Sequence, residues 1–511
     1  MDHAALGHVL GNMESLRYLY PELIMMLFTV FAVVADLVFP KQRAAATCAV
    51  TLAGLGLALG SIVPYFGSGA AGSASTFMGT MAHDDLGTFF KGYLIVSAII
   101  VALSAMRSRE VSHVPQGEFF SLILAVTAAG CLLATSVDLL MVYLSLEMVS
   151  ITSYVMVGTS RGERISNEGA LKYLLFGAVA AGAMLYGISL IYGLTGTTNL
   201  YGVQQALATT PAGQATTLTL LVAGTLILAG FGFKIASVPF HFWCPDVYQG
   251  APTPVTALLS VGPKAAGFAV LIRFFFPAAQ GALARNLGNM GATLSGTTWV
   301  DILLSLSLVT MTVGNVAALT QRNMKRLLAY SSIAHAGYML MGLVLFSQEG
   351  AKAILIYLVV YLFMNIGAFL VVIAVHDSEG SFDVTAFNGL FRRNPFLAVS
   401  MTVFLLSLIG FPPFSGFMGK LYLFMAVLQR GKVLLAVVGA LNSVVAVWYY
   451  VRVMRAMIID EQDRPGPLAV APWNTALIAL MVVPNCVLIL LWKHVDTFAS
   501  VATRTLAAVS Y

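Results

Sequence analysis

Long apolar runs follow one another along the chain, separated by short polar or Gly/Pro-rich breaks. An apolar run of about 20 residues is long enough to cross the hydrocarbon core of a bilayer as a helix. The pattern predicts fourteen transmembrane helices, numbered here in chain order. They lie near residues 20–39, 45–65, 87–106, 117–135, 137–158, 169–193, 215–238, 254–276, 299–320, 326–346, 352–375, 397–429, 434–457 and 472–493.

Two of these predicted helices are interrupted. Predicted helix 7 is Gly-rich and runs into a proline, in FGFKIASVP at 231–239. Predicted helix 12 is too long for one straight span, and prolines and clustered glycines break helices. Its breaking residues are Gly410, Pro412, Pro413, Gly416 and Gly419. The expected fold is an all-α polytopic membrane protein in which helices 7 and 12 are broken.

Composition agrees with this fold class and excludes others. The 511 residues are 59% hydrophobic and only 10% charged, with a mean hydropathy of +0.87, which is too apolar for soluble domains. The net charge of +5 comes without any Lys/Arg-rich run, so a nucleic-acid partner is not expected. The four cysteines form no CxxC pair, which argues against a disulfide framework, a zinc site or an iron–sulfur site. The N-terminus lacks a basic n-region, so predicted helix 1 is expected to be retained.

Lysine and arginine are unevenly divided between the two faces of the membrane. Fifteen lie in connections after odd-numbered predicted helices and eight lie on the other side, so the positive-inside rule makes the first face cytoplasmic and both termini outward. The first set is Lys41, Arg43, Arg107, Arg109, Arg161, Arg164, Lys172, Arg322, Lys325, Arg326, Arg392, Arg393, Arg452, Arg455 and Arg464. The second set is Arg17, Arg273, Arg285, Lys352, Arg430, Lys432, Lys493 and Arg504.

Four lysines belong to neither set. Lys91 lies near the outer end of predicted helix 3 and is expected to reach the headgroups. Lys234, Lys264 and Lys420 lie deeper, with Glu147 in predicted helix 5 and His335 in predicted helix 10. Ionisable residues inside a membrane are functional candidates because they are costly to keep there.

Two pairs of these residues share one spacing. Lys420 follows Lys234 by 420 − 234 = 186 residues, and His335 follows Glu147 by 335 − 147 = 188. These offsets suggest that helices 4 to 8 recur as helices 9 to 13. Because each copy has five helices, an odd number, the two copies are expected to run in opposite directions across the membrane. Paired interrupted helices in inverted repeats mark ion paths in transporters. Coincidence between Gly/Pro-rich helices is the alternative.

This repeat divides the chain into four parts. They are an N-terminal three-helix segment (1–116), a first inverted repeat (117–276), a second inverted repeat (299–457) and a C-terminal segment with helix 14 (458–511).

The intramembrane groups suit proton transfer. Glu147 and Lys234 could form an ion pair that opens and closes to load a proton, or a static bridge between two helices. Lys264 has no carboxylate within a helical turn and is expected to be a relay. Lys420 could reach the headgroups or line a cavity at the break in helix 12. His335 could carry protons between Lys264 and Lys420, or be a core histidine bonded to Ser331 or Ser332.

Motifs for redox and nucleotide chemistry are missing from the sequence. His335 is the only histidine well inside a predicted helix, so no pair of axial haem ligands is expected. Neither a GxxxxGK[ST] loop nor a GxGxxG after a strand occurs. The chain is therefore expected to need an ion gradient or another subunit to drive it.

Three stretches carry a resemblance to a known family: HFWCPDVYQGAPTPVTALLS at 241–260, NMKRLLAYSSIAHAGYML at 323–340 and GFPPFSGFMGKLYLF at 410–424. They resemble the antiporter-like membrane subunits of proton-pumping NADH:quinone oxidoreductase, respiratory complex I. PDVYQGAPTPV at 245–255 resembles one branch of that family, whereas the sister subunits and the sodium/proton antiporters usually carry a PDA-type sequence. Gln249 departs from the acidic residue common there in relatives, which puts a role for that loop charge in doubt.

The resemblance implies a function. Glu147 and Lys234 would be the ion pair, Lys264 the central relay, His335 a residue along the axis and Lys420 the outer end of a hydrated channel. The chain would be a proton translocase subunit in a bacterial inner membrane, with sister antiporter-like subunits as partners. NADH, FMN, iron–sulfur clusters and quinone would bind to other subunits, and no cofactor or metal to this chain. A cation/proton antiporter subunit and a purely structural helix bundle are the alternatives.

Overall fold

A computed structural model describes residues 10–67, 74–209, 214–280, 299–461, 466–504 and 506. Two short strands, β1 (Ala74–Thr76) and β2 (Met81–His83), pair antiparallel before the third long helix. The longer helices are α1 (Tyr20–Val38), α2 (Arg43–Ile62), α3 (Asp85–Ala105), α4 (Gln116–Thr135), α5 (Leu139–Val157), α6 (Arg164–Thr195), α7 (Leu200–Thr209), α8 (Gln214–Ile235), α9 (Trp243–Gly250), α10 (Thr253–Gln280), α11 (Trp299–Ala318), α12 (Met324–Leu343), α13 (Gln348–Glu379), α14 (Pro395–Ile409), α15 (Ser415–Gln429), α16 (Val433–Ile458), α17 (Pro472–Val487) and α18 (Trp492–Ala502).

The all-α polytopic architecture is confirmed, whereas the count of fourteen spans is not. Among the described residues, 11 helices are long and apolar enough to cross a membrane, or 12 if α17 and α18, bent by 91°, are one span. Predicted helix 10 corresponds to α12. This helix carries two basic residues in its first turn and is not one of the 11. Predicted helix 12 is divided into α14 and α15, each of 15 residues and too short to span alone.

Both predicted breaks are present. Helix α8 ends at Ile235, and a turn leads into α9. Helix α14 ends at Ile409 and is capped by Gly410, whose φ of +84° is a left-handed conformation that glycine adopts without strain. The Gly410 amide donates to the carbonyls of Leu406 and Ser407, which closes the helix end before α15 begins.

Several features recur at the spacing predicted for the repeat. Helices α6 and α13 each have 32 residues and end at a left-handed glycine, Gly196 and Gly380, at a spacing of 380 − 196 = 184. Asp138 and Asn323 each cap the next helix with a side-chain oxygen, at a spacing of 323 − 138 = 185. These matches accord with the repeat, and the four-part division of the chain stays a prediction.

The helices with the most buried surfaces are α10 and α13. The α10 window within Thr253–Phe276 is 100% buried and that of α13 is 89% buried, whereas α6 and α16 present large apolar side chains outward. The outward faces suit lipid or partner helices, because apolar surfaces are stable against either. Helices α10 and α13 also pack against each other, and α10 carries Lys264 of the candidate site.

The N-terminal segment is held by buried ion pairs. Arg273 of α10 donates to both carboxylate oxygens of Asp84 at 2.9 and 2.7 Å, and to the carbonyl of Ala134. Lys91 does not reach the headgroups as expected, because its ammonium lies 2.8 Å from the carboxylate of Glu22 and is buried. Hydropathy placed Lys91 near a helix end but could not show that an acid from α1 lies beside it.

The sidedness prediction is not tested by the fold alone. Arg285 and Arg464, both counted in that prediction, lie outside the described residues.

Candidate functional site

Three lysine side chains are buried at the centre of the bundle. Lys234 of α8 and Lys264 of α10 are each 1% exposed, and Lys420 of α15 is 5% exposed. In the part of the chain that the structure describes, no carboxylate lies within 4.0 Å of any of these ammonium groups. Each is instead met by hydroxyl or carbonyl oxygens. Buried cations without a neutralising acid are costly, so a site with three of them requires a functional explanation.

The structure does not join the predicted pair of Glu147 and Lys234. The Lys234 ammonium donates to the Ser150 hydroxyl at 3.1 Å, one turn along α5 from the glutamate. Glu147 is partly buried, and its Oε1 atom is buried without a hydrogen-bond partner. The Glu147 carboxylate therefore lies one helical turn from the residue that binds the Lys234 ammonium, and its Oε1 atom has no hydrogen-bond partner among the described residues.

Lys264 contacts the second half of the chain. Its ammonium donates to the Ser332 hydroxyl of α12 at 2.6 Å and lies 5.9 Å from the centroid of the Tyr248 ring. Helix α10 approaches α8 closely at Gly267, where a Cβ atom would lie 2.7 Å from Ile235. The lysine helices of the first half are thus packed together, and Lys264 connects them to α12.

His335 has tyrosine partners, and not the serines of the alternative in which it is a core histidine. Its Nδ1 atom lies 2.5 Å from the Tyr357 hydroxyl, and its Nε2 atom lies 3.5 Å from the Tyr450 hydroxyl. Ser331 is bonded to Tyr450, and Ser332 receives Lys264. Both ring nitrogens therefore face groups that can donate or accept a proton.

Lys420 bridges the break in predicted helix 12. Its ammonium donates to the carbonyl of Ile409, the last residue of α14, at 2.8 Å, and to the Ser443 hydroxyl at 3.3 Å. It also lies 4.5 Å from the centroid of the Tyr338 ring. The break thus supplies a backbone acceptor for a cation, a use of broken helices seen in transporters.

A polar network that the sequence did not single out continues from Lys420. Ser443 contacts the Tyr338 hydroxyl at 3.3 Å, and the Asn315 amide donates to the same hydroxyl at 3.3 Å. Tyr449 in turn donates to the Asn315 side-chain oxygen at 3.0 Å. These residues are neutral, so a search for intramembrane charges passes over them. The sequence signal that could have identified this network is the presence of asparagines and tyrosines within apolar helices.

A second group of charges lies at the face predicted to be cytoplasmic. Asp246 of α9 accepts from Lys172 at 2.6 Å and from Arg326 at 2.5 Å, and Gln249 also accepts from Arg326 at 2.9 Å. Burial alone would raise the pKa of Asp246, but the two cationic partners outweigh it and hold that pKa below its usual range. This network joins α6 and α9 to α12. Gln249 therefore has a structural role there without a charge.

No group of three or more His, Cys, Asp or Glu side chains is placed to hold a metal ion within the described ranges.

Comparison with known proteins matches this arrangement to one family. Residues 136–446 match the family model described as NADH:quinone oxidoreductase/Mrp antiporter, TM. NADH-quinone oxidoreductase subunit N of Anaeromyxobacter sp. (strain Fw109-5) is 45% identical over 461 residues, covering 88% of each chain. Subunit N 2 of Sorangium cellulosum (strain So ce56) is 44% identical, covering 96% of this chain and 98% of the relative.

A solved structure supports the same assignment. A chain of respiratory complex I from Thermus thermophilus with bound Aureothin aligns with a TM-score of 0.76 and 32% identity, over 93% of this chain and 98% of that one. The branch of the family expected from PDVYQGAPTPV is that of subunit N, and the names of the relatives confirm it. The chain belongs to the family of membrane subunits shared by NADH:quinone oxidoreductases and Mrp antiporters, and within it is similar to subunit N.

Proposed function

We propose that this chain is a proton-translocating subunit in the membrane arm of an NADH:quinone oxidoreductase. The observation that carries the proposal is the set of three buried ammonium groups, at Lys234, Lys264 and Lys420, held by hydroxyls and carbonyls without a neutralising acid within 4.0 Å. A site built for stability alone would avoid this cost. A site that accepts and releases protons needs groups whose charge can change.

The proposed path starts where Glu147 and Lys234 can close into a pair. At an effective dielectric near 20, shortening their separation from about 8 to about 4 Å strengthens the attraction by roughly 2 kcal/mol. Moving one proton against 100 mV costs about 2.3 kcal/mol, which is of the same order. The free energy gained when this pair closes is therefore large enough to control whether a proton is loaded onto the path.

Lys264, His335 and Lys420 continue the path. Lys264 reaches α12 through Ser332, His335 has a hydroxyl near each ring nitrogen, and Lys420 is connected by Ser443 to Tyr338. NADH oxidation and quinone reduction take place in other subunits, which drive the movement and hold the cofactors. Sister antiporter-like subunits are the proposed partners, in a bacterial inner membrane with both termini outward.

The test uses the assembled complex with Glu147→Gln, Lys234→Met, Lys264→Met or Lys420→Met, one at a time. Each should lower NADH:quinone turnover and proton pumping in vesicles together, by about tenfold or more, which corresponds to a barrier raised by about 1.4 kcal/mol. Lys41→Met is the control, because Lys41 is exposed in a connection. Normal turnover with a normal proton yield in the four variants would contradict the proposal and favour a structural bundle. Sodium-dependent pH changes in vesicles without the redox subunits would favour an antiporter.

A further inference from the structure

An apolar cavity of about 450 Å³ lies between the N-terminal segment and the second half of the chain. Helices α2, α3, α13 and α18 line it, with Ile62, Val96, Leu362 and Phe498 among the lining side chains. Thr88 is a polar exception near one end. A cavity of this size and apolar character is typical of a site for a small hydrophobic ligand.

The cavity spans about one leaflet in depth. Helix α3 begins at Asp85, so Thr88 and Val96 lie 88 − 85 = 3 and 96 − 85 = 11 residues from its start, or about 5 and 17 Å at 1.5 Å per residue. Helix α2 ends and α13 begins at the same face, and Leu362 lies 362 − 348 = 14 residues along α13, or about 21 Å. Half of a hydrocarbon core is roughly 15 Å thick. The cavity thus extends from the membrane surface to about the midplane.

Helix α18 lies across the surface end of this cavity. It is bent by 91° from α17, and it buries Val495, Ala499 and Ala502 on one face. Lys352, near the start of α13, holds it through an ion pair with Asp496 at 2.6 Å. A helix with one apolar and one polar face is typical of the membrane interface. The entrance is therefore at headgroup level.

Aromatic rings line the cavity near that entrance. The rings of Phe66 and Phe498 stack with centroids 4.6 Å apart, and Phe89 lies 5.4 Å from Phe498. Phe498 belongs to α18 and the other two to the N-terminal segment, so the ring cluster joins the interfacial helix to the cavity wall.

We propose that this cavity binds one acyl chain of a membrane phospholipid whose headgroup lies beside α18. One acyl chain of a common phospholipid is about as long as one leaflet is thick, so its length matches the depth of the cavity. The lipid would fasten the N-terminal segment to α13, the helix that supplies Tyr357 to His335.

The test is photolabelling of the whole complex in lipid discs with a phosphatidylethanolamine that carries a diazirine in its acyl chain. Peptides covering residues 88–96 and 359–363 should be labelled. Gly92→Leu should reduce this labelling, because a side chain at Gly92, which lines the cavity, occupies the chain's place. A chain in the bilayer is already out of water, so the substitution removes the space for the chain and not a gain from leaving water. Labelling of these peptides should therefore fall to the level of outward-facing α2 peptides.

Gly56→Leu is the matched control. Gly56 lies on the outward face of α2 with nothing within 4 Å of a Cβ atom, so the same substitution leaves the cavity unchanged. If Gly92→Leu does not assemble, Val96→Phe fills the same cavity from the next turn. The proposal fails if the wild-type peptides are not labelled above the level of outward-facing α2 peptides, or if the filled variants are labelled as strongly as wild type. Labelling by a photoreactive quinone that competes with the lipid would also overturn it.

Discussion

Replacing Asp246 with asparagine should loosen α9 from the bundle. The carboxylate accepts hydrogen bonds from Lys172 of α6 and Arg326 of α12, so it fastens the break in predicted helix 7 to both halves of the chain. Asparagine keeps the size of the side chain and loses its charge. Cys244 lies in the same helix and is 0% exposed, so its accessibility reports whether α9 is in place.

The size of the effect follows from the exposure of the network. A hydrogen bond to a charged group contributes about 1.5 to 3 kcal/mol when buried. The side chains of Asp246, Lys172 and Arg326 are 31%, 37% and 27% exposed, so solvent screens both bonds. We therefore expect a total loss of about 2 to 3 kcal/mol, which raises the open population of α9 by roughly 30- to 150-fold.

The assay measures the rate at which a membrane-permeable maleimide modifies Cys244 in the assembled complex. Burial raises the pKa of the Cys244 thiol, so modification requires opening of α9. When closing is fast, the rate follows the open population. Mass spectrometry reads the other cysteines in the same sample, where exposed Cys486 reports the reagent and buried Cys131 reports global unfolding.

Glu168→Gln provides the matched control for this prediction. Glu168 pairs with the same Lys172 at 2.7 Å, but its side chain is 55% exposed and the pair is an i,i+4 pair on one helix. Such pairs contribute about 0.3 to 0.5 kcal/mol, so the rate should change by about twofold. The reasoning is refuted if Asp246→Asn leaves Cys244 as unreactive as in wild type, or if Glu168→Gln has an equal effect.

Other features lead to further predictions. Asp84→Asn should destabilise the complex by about 3 to 5 kcal/mol, because Arg273 is left buried without its carboxylate. Replacing both partners, with Asp84→Leu and Arg273→Met, should recover most of that loss. The midpoints of thermal inactivation measure both effects. Burial, reinforced by the charge of Lys91, lowers the pKa of His83 to about 4 from 6.5, so the unfolded state binds more protons between these values. Stability should therefore be complete above pH 6.5 and fall by roughly 3 kcal/mol as the pH drops towards 4, and the same midpoints recorded against pH should lose this component in His83→Phe. Gly416→Ala would place a Cβ atom 1.9 Å from a backbone carbonyl oxygen of α14. It should therefore displace α15 and lower the number of protons pumped per NADH. An alanine at a helical glycine with open space around it should leave that number unchanged.

The sequence predicted the positions of the long helices more accurately than their ends. Predicted helix 6 began at residue 169, but α6 begins at Arg164, because the stretch RISNE is helical and polar. Hydropathy identifies the apolar part of a helix, so it misses polar helical turns that extend beyond the hydrocarbon core. At its other end, α6 is capped by Gly196, which has a left-handed conformation. The sequence shows that a glycine is there but does not show its conformation.

The candidate site was predictable in its charges and not in their partners. Lys234, Lys264 and Lys420 stand out because an apolar sequence makes each charge conspicuous. Their partners Ser150, Ser332 and Ser443 come from other helices, 84, 68 and 23 residues away, and a neutral hydroxyl gives no hydropathy signal. Packing brings these groups together, and packing is decided by the whole fold.

The surroundings of Lys420 leave its side chain little room to swing. Its stem passes Gly410 so closely that a Cβ atom there would lie 2.8 Å from Cδ, and its ammonium is held by a carbonyl, a hydroxyl and the face of a ring. A swing of the lysine would give up all three contacts. The Ser443 hydroxyl, by contrast, can turn about its C–O bond while every heavy atom stays in place. On the proposed path, proton transfer at this end would therefore use rotation of hydroxyls beside a lysine that stays in place, and such rotations are fast.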